Sequence, residues 1–307
     1  MEEFHAHMKG TFLQEWTQRT ILEVQRVKPD ILVGYYGSTA GFCAAAAAKF
    51  LDYPVVVCLR GNDVNRDLFS AMWTQQLQFS VQKADAVVTV STEMKRKIAA
   101  WMGVKAVFIS NSVDKEVFYP DPEGAKRFKE QWKLGDRPII GLFGEFKPTR
   151  GISILNHLKE ALSDVAVMVV GEVREAYKSS IPSWIFKVPY ITDIGALRGA
   201  YSACDIVLHP SNHDGMPNVV LEAMACERVV VTSRTGGLTD LISHGKNGFF
   251  CDTLEEWAAG IKRLILKPEP ELGKKASLWV PCPEDEKDNF VRLFEQVLKN
   301  RGKNLSP

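Results

Sequence analysis

The stretch His209–Gly237, HPSNHDGMPNVVLEAMACERVVVTSRTGG, carries the most informative pattern of this 307-residue chain. It has the pattern of a strand end, a polar loop, a helix that Pro217 opens, a second strand and a Gly-Gly turn. The helix is apolar on almost every side, so we expect it to be largely buried. Glu222 interrupts that apolar surface. A lone buried carboxylate is costly unless it is paired or hydrogen-bonded, so Glu222 must have a partner.

Two interpretations of Asp214 and Glu222 fit these residues. In the structural interpretation, Asp214 helps to cap the helix and Glu222 fixes the position of a neighbouring loop. In the other, both belong to a ligand site, because the N–H groups at a helix start favour phosphate. A carboxylate a turn further in can accept hydrogen bonds from a diol such as a ribose. Gly236 and Gly237 would then let the backbone approach the ligand closely.

The composition is that of an ordinary globular protein with two domains. The net charge is +1, with 46% hydrophobic and 24% charged residues, so nothing indicates a nucleic-acid partner. The six cysteines show no zinc spacing, and His5 and His7 lack a third ligand, so we expect reduced thiols and no metal site. The start of the chain carries no signal peptide, and no apolar run could span a bilayer. These features predict a cytoplasmic location and leave peripheral membrane contact open.

Continuous apolar runs alternate with helical segments along the chain. Such runs are typical of parallel strands covered on both faces, so the sequence predicts an α/β fold with two doubly wound, Rossmann-like units. The segment 111–122, NSVDKEVFYPDP, has the composition of a linker between them. The clearest predicted strands are PVVVCL at 54–59, AVVTV at 86–90, PIIGLFG at 138–144 and AVMVVG at 166–171.

Further candidate site residues follow the predicted strands, where ligands bind in sheets of this kind. The loop 144–151, GEFKPTRG, combines glycines with Lys147 and Arg150 before a helix, which suits an anion, although a solvated basic loop looks the same. Arg60 and Asp63 follow PVVVCL, either as a turn or as a substrate contact. His213, beside Asp214, fits either a general base or, as is more common for a lone loop histidine, a solvated hydrogen-bonding residue. The absence of GxSxG, P-loop and GxGxxG sequences disfavours a hydrolase, an NTPase and a dehydrogenase.

The opening stretch and its continuation to Phe250 resemble the retaining glycosyltransferases of family 4, which have the GT-B fold. The match is to the family pattern PS…EG…P…LEAMA…G…PVV…GG…NG, and VTVSTEMKRKI, SNSVD and GEFKPTRGI add to it. The resemblance covers about residues 33–298. It implies two Rossmann-like domains that face a cleft. It also implies retaining, metal-independent transfer of a hexose-type sugar from a UDP- or GDP-linked donor to a glycan, lipid or small-molecule acceptor, without a further cofactor.

The resemblance also implies domain roles. Residues 1–120 would form the acceptor-side domain, shortened because the family's usual first strand and glycine-rich loop are not found. Residues 121–282 would form the donor-binding domain, and 283–307 a final helix that packs back on the first domain. Two other functions remain open: a non-catalytic nucleotide-sugar-binding protein or fragment, and a sugar phosphorylase or epimerase on the same fold.

Individual residues receive roles by the same resemblance. Glu222 would hold the donor ribose, and Asp214, where the family usually has Glu, would face the sugar. Lys147 and Arg150 would stabilise the leaving diphosphate, although Glu145 occupies the first basic position of that loop. The remaining donor contacts would come from the amides of Gly215, Met216 and Pro217, from Gly144 and Asn218, and from Tyr190 and Ile191 in the base pocket; Arg60 and Asp63 would lie on the acceptor side.

Overall fold

The structure, a computed structural model, describes residues 2–146, 154–155, 158–159, 162, 165–173 and 175–302. The chain folds as two compact units. Unit 1 comprises Met1–Asn111 and Glu284–Pro307, and unit 2 comprises Ser112–Pro283. The first boundary between the units therefore falls at the start of the segment that the sequence predicts as a linker. Lys147 and Arg150 lie outside the described residues.

Unit 1 is built around a sheet of four parallel strands in the order β1-β2-β3-β4. The spatial order of these four strands is the same as their order along the chain, so each new strand is added on the same side of the sheet. Its elements are α1 (Glu2–Val27), β1 (Leu32–Tyr35), α2 (Ala40–Leu51), β2 (Val55–Leu59), α3 (Asn62–Asn65), α4 (Thr74–Lys83), β3 (Ala86–Thr89), α5 (Thr92–Met102) and β4 (Val107–Phe108), with a short 3-10 helix at Asp67–Phe69.

Both faces of this sheet are covered, which explains why β2 is apolar throughout. Val57 lies against Gly41 of α2 on one face. Val56 and Cys58 point to the other face, because successive strand residues alternate. There they pack in one buried cluster with Leu293 and Val297 of the final helix, α12 (Pro283–Asn300). The carboxyl end of the chain thus completes the core of the first unit.

Unit 2 contains a sheet of six parallel strands in the order β7-β6-β5-β8-β9-β10. Numbered within the unit, this is the Rossmann order 3-2-1-4-5-6. The side on which successive strands are added changes between β5 and β8, and we call this point the change of direction. Its elements are α6 (Pro122–Gln131), β5 (Ile139–Phe143), β6 (Ala166–Val170), a 3-10 helix (Glu175–Ser180), β7 (Phe186–Val188), α7 (Ile194–Ala203), β8 (Ile206–His209), α8 (Asn218–Ala225), β9 (Val229–Thr232), α9 (Leu238–Leu241), β10 (Phe249–Phe250), α10 (Leu254–Leu266) and α11 (Pro270–Ser277).

The predicted α/β class with two parallel-sheet, Rossmann-like domains is confirmed. All six cysteines are free thiols. Burial raises the pKa of Cys58 and Cys226 to about 12, which keeps both thiols protonated and unreactive. Among the helices of the described ranges, none combines the length and the apolar character needed to cross a membrane.

Candidate functional site

The change of direction in the second sheet brings two loops together at its carboxyl edge. β5 pairs directly with β8, so Gly144, the residue after β5, lies at the same edge of the sheet as the start of the loop 210–217. Gly144 has φ 110° and donates its N–H to the carbonyl of Val170 at 2.9 Å. A Cβ on Gly171 would overlap the Gly144 carbonyl oxygen, so the two strand ends require glycine to approach this closely.

The loop after β8 is fixed through its backbone. The carbonyl of His209 accepts the Thr232 hydroxyl at 2.8 Å and the Ser211 N–H at 3.0 Å. The Ser211 hydroxyl in turn donates to the carbonyl of His213 at 2.9 Å. The start of the loop is therefore anchored to the neighbouring strand β9 without any contribution from the His209 ring.

The Gly-Gly turn after β9 packs on the same loop. The Gly237 N–H donates to the Gly215 carbonyl at 2.5 Å. Gly236 has φ +52°, and a Cβ there would overlap the carbonyl oxygen of Asp214. We expected these glycines to let the backbone approach a ligand. In the structure, their close contact is with the loop that carries Asp214.

A backbone N–H and a histidine ring both contact the Asp214 carboxylate, just before the N-terminus of α8. One carboxylate oxygen, Oδ1, accepts the N–H of Gly215 at 2.9 Å. The other, Oδ2, lies 3.2 Å from Nε2 of His209, and the Asp214 side chain is 13% exposed. His209 is buried, and the sequence analysis missed it. Its position as a polar residue at the end of the apolar strand β8 is the signal that could have identified it.

Glu222 has the partner that the sequence required. Its Oε2 accepts the hydroxyl of Tyr201, on α7, at 2.7 Å. Tyr201 is fully buried and stacks on Phe143 with ring centroids 3.9 Å apart. Glu222 itself is half-buried. Burial raises the pKa of Glu222, and the hydrogen bond from Tyr201 counteracts part of that rise. The other oxygen, Oε1, has no partner among the described residues.

The donor amides predicted at the start of α8 need correction. Pro217 is the N-cap residue with φ −76°, and proline has no N–H to donate. The Gly215 N–H is engaged by the Asp214 carboxylate. Met216 and Pro217 are buried, whereas Asn218, the first residue of α8, is exposed. The helix start therefore offers a sugar fewer backbone donors than the sequence analysis assumed.

Tyr190 and Ile191 follow β7 at the same carboxyl edge. Tyr190 is 72% exposed, and Ile191 is half-buried. β7 lies three strands from β8, and neighbouring strands are about 4.8 Å apart, so the two loops are separated by roughly 14 Å across the sheet. Tyr190 is thus exposed at the far side of the edge from Asp214.

In unit 1, Asp63 is a structural residue. Its carboxylate is fully buried and accepts backbone N–H groups from Gly61 at 2.9 Å, Arg60 at 3.1 Å, Val64 at 3.2 Å and Gly37 at 3.3 Å. Burial raises the pKa of Asp63, while these backbone donors lower it. The expected contact of Asp63 with a substrate is therefore replaced by a role in holding its own loop.

Arg60, the other acceptor-side candidate, is half-buried. Its guanidinium carbon lies 5.3 Å from the ring centre of Tyr35, within the range of a cation–π contact. Across the described parts of both units, no cluster of three His, Cys, Asp or Glu residues is placed to hold a metal ion.

Comparison with known families identifies the chain. The family model "Glycosyl transferases group 1" matches residues 137–267, and the family model "Glycosyltransferase Family 4" matches residues 5–117. The two models together span most of both units. The chain belongs to the group 1, family 4 glycosyltransferases.

Individual relatives agree with this assignment. An uncharacterised glycosyltransferase of Methanocaldococcus jannaschii is 25% identical over 76% of this chain and 64% of its own length. Arabidopsis thaliana sulfoquinovosyl transferase is 27% identical over 75% of this chain and 48% of its own length. A GDP-mannose-dependent alpha-mannosyltransferase of Mycolicibacterium smegmatis is 27% identical over 59% and 47%. The chain thus spans about half to two thirds of the length of these relatives.

Solved structures show the same fold. Anabaena HepE in complex with UDP and glucose superposes with a TM-score of 0.78 at 18% identity, over 90% of this chain and 80% of its own. Sucrose-phosphate synthase from Thermosynechococcus elongatus gives a TM-score of 0.80 at 17% identity, over 94% and 78%. These similarities establish the GT-B fold.

Proposed function

We propose that this protein transfers a hexose-type sugar from a nucleotide-sugar donor to an acceptor, with retention of anomeric configuration and without a metal ion. The observation that carries the proposal is the pair Asp214 and Glu222. Both lie at the carboxyl edge of the second sheet, beside its change of direction, and ligands of Rossmann-like sheets bind at that point.

Glu222 is the proposed ribose contact. Tyr201 occupies one of its oxygens, and Oε1 can accept a hydroxyl of the ribose. The half-buried carboxylate makes a stronger hydrogen bond than a fully solvated one, because a partly desolvated site screens charge less. Tyr190, which is exposed, and Ile191, which is half-buried, lie further along the same edge and are the proposed contacts to the base.

Asp214 is the proposed sugar contact, and Lys147 and Arg150 are the proposed partners of the diphosphate. In this scheme the acceptor hydroxyl attacks the anomeric carbon on the face that the nucleoside diphosphate leaves. A phosphate oxygen takes the hydroxyl proton as the bond from the anomeric carbon to the phosphate breaks. The two cations stabilise the charge that develops on the leaving group. Arg60 is the proposed acceptor-side residue, with a glycan, a lipid or a small molecule as acceptor.

The donor is tested with both nucleotide classes. The mannosyltransferase relative is named for GDP-mannose, and HepE was solved in complex with UDP and glucose, so UDP-glucose and GDP-mannose are the first probes. We expect one of them to raise the melting temperature of the protein in a thermal-shift screen. Candidate acceptors are then added with EDTA present, and the anomeric configuration of the product is read by NMR. Loss of turnover in EDTA, or an inverted product, would contradict the proposed mechanism.

A further inference from the structure

A polar ring is buried beside the proposed sugar contact. His209 is 5% exposed, and its Nε2 lies 3.2 Å from Oδ2 of Asp214. The other three residues of β8, Ile206, Val207 and Leu208, are apolar and buried. A buried polar ring costs free energy unless it is hydrogen-bonded, so the contact with Asp214 compensates for placing an imidazole at this strand end.

The His209 ring is not needed to hold the loop. The backbone carbonyl of His209 is already bonded to the Thr232 hydroxyl and the Ser211 N–H, at 2.8 Å and 3.0 Å. The Gly236–Gly237 turn closes against the Asp214–Gly215 backbone from the other side. With the backbone fixed in this way, the freedom that remains is the rotation of the Asp214 side chain.

Contacts at both carboxylate oxygens restrain that rotation. The Gly215 N–H donates to Oδ1 at 2.9 Å, and Nε2 of His209 lies 3.2 Å from Oδ2, so a separate contact restrains each carboxylate oxygen. Each carboxylate oxygen has two lone pairs, so an oxygen that accepts one hydrogen bond has the capacity for a second. Because the aspartate side chain is short and both of its oxygens are contacted, it presents its lone pairs in one direction.

We infer that His209 is a positioning residue for the donor sugar. It orients the Asp214 carboxylate toward the sugar hydroxyls and makes no contact with the nucleotide. This inference rests on the proposed function. It predicts that loss of the ring N–H weakens binding of the sugar part of the donor alone.

The test compares the nucleotide sugar with the bare nucleoside diphosphate. We would measure Kd by calorimetry for UDP, UDP-glucose, GDP and GDP-mannose with the parent protein and with His209→Phe, which keeps a ring but removes the donor. A hydrogen bond to a charged group supports about a tenfold change in affinity, so His209→Phe should weaken the nucleotide sugar about tenfold. The Kd of the nucleoside diphosphate should change by less than about twofold, which is no more than the loss of one weak neutral hydrogen bond would cause.

Two variants control the measurement. His209→Gln places an amide N–H near the position of Nε2 and should restore affinity for the nucleotide sugar. His213→Phe makes the same chemical change at a half-exposed histidine of the same loop and should bind both ligands as the parent does. His209→Leu, which extends the apolar pattern of β8, should behave like His209→Phe.

Several results would overturn the inference. Equal weakening of nucleotide sugar and diphosphate would show that the ring merely supports the fold, and so would failure of both His209→Phe and His209→Leu to fold. Unchanged affinities in His209→Phe, or no recovery in His209→Gln, would also exclude the positioning role. A parent protein that binds none of the four ligands would overturn the proposed function and this inference together. Binding of all four with a null effect of His209→Phe would overturn the inference alone.

Discussion

Each unit places carboxylates just beyond its strands, and the two units surround them differently. In unit 1, Asp63 is fully buried and accepts four backbone N–H groups. In unit 2, Asp214 accepts one backbone N–H and one ring N–H and keeps 13% of its side chain exposed. Glu222 is half-buried with a single protein donor. The exposed fraction of the side chain separates a carboxylate that holds a loop from one that a ligand can reach.

The largest expected effect belongs to Asp63→Ala. Removing this carboxylate takes the acceptor from the N–H groups of Gly37, Arg60 and Gly61, whereas the Val64 N–H keeps the Gly61 carbonyl at 3.1 Å. We therefore expect unit 1 to lose about 3–5 kcal/mol of stability. Asp214→Ala removes a side chain that is 13% exposed, so water can reach the groups left behind and the change should cost only about 1–2 kcal/mol. Denaturant unfolding followed by circular dichroism measures both. Equal losses in the two variants would break the distinction between the units.

The next effect concerns the turn that supports Asp214. Gly236→Ala introduces a Cβ against the Asp214 carbonyl at a positive φ of +52°, so we expect a loss of about 2–4 kcal/mol and weaker donor binding. Gly245 also has a positive φ, +76°, but nothing lies within 4 Å of a Cβ there. Gly245→Ala is therefore the matched control and should cost about 1 kcal/mol. Similar losses in the two variants would show that the contact with Asp214 is unimportant.

The smallest effect is a pH dependence at Glu222. Burial raises its pKa in the folded protein, so the ionised carboxyl costs stability at neutral pH, and that cost disappears as the pH falls through the raised pKa. Glu222→Gln lacks the ionisable group. We expect it to be more stable than the parent at pH 7, by less than about 1 kcal/mol, with the difference gone below the ordinary glutamate pKa of about 4.3. A difference that grows as the pH falls would contradict the assigned direction.

The strands and the position of the site were predictable from the sequence. Continuous apolar runs predicted strands at 54–59 and 138–144, and the structure has β2 at Val55–Leu59 and β5 at Ile139–Phe143. The helix predicted from Pro217 begins one residue later, at Asn218. These predictions succeeded because a parallel strand covered on both faces leaves a run of apolar residues that no turn or exposed helix shares.

The partners of the site residues were not predictable in the same way. Tyr201 and His209 reach Glu222 and Asp214 through the packing of α7 and the end of β8, and neither contact leaves a local pattern in the sequence. The role of Asp63 depends on four backbone N–H groups, whose directions follow from the backbone conformation. The packing of Leu293 beneath β2 joins residues far apart in the chain.

The most direct test of the proposed function is donor binding by Glu222→Ala. The account predicts that this variant keeps its fold, as judged by circular dichroism, because Glu222 contributes a single protein hydrogen bond. Its affinity for the nucleotide sugar that the parent binds should fall by about 10- to 100-fold, the loss expected for one hydrogen bond to a charged group. Undiminished affinity in calorimetry would contradict the assignment of Glu222 to the donor ribose.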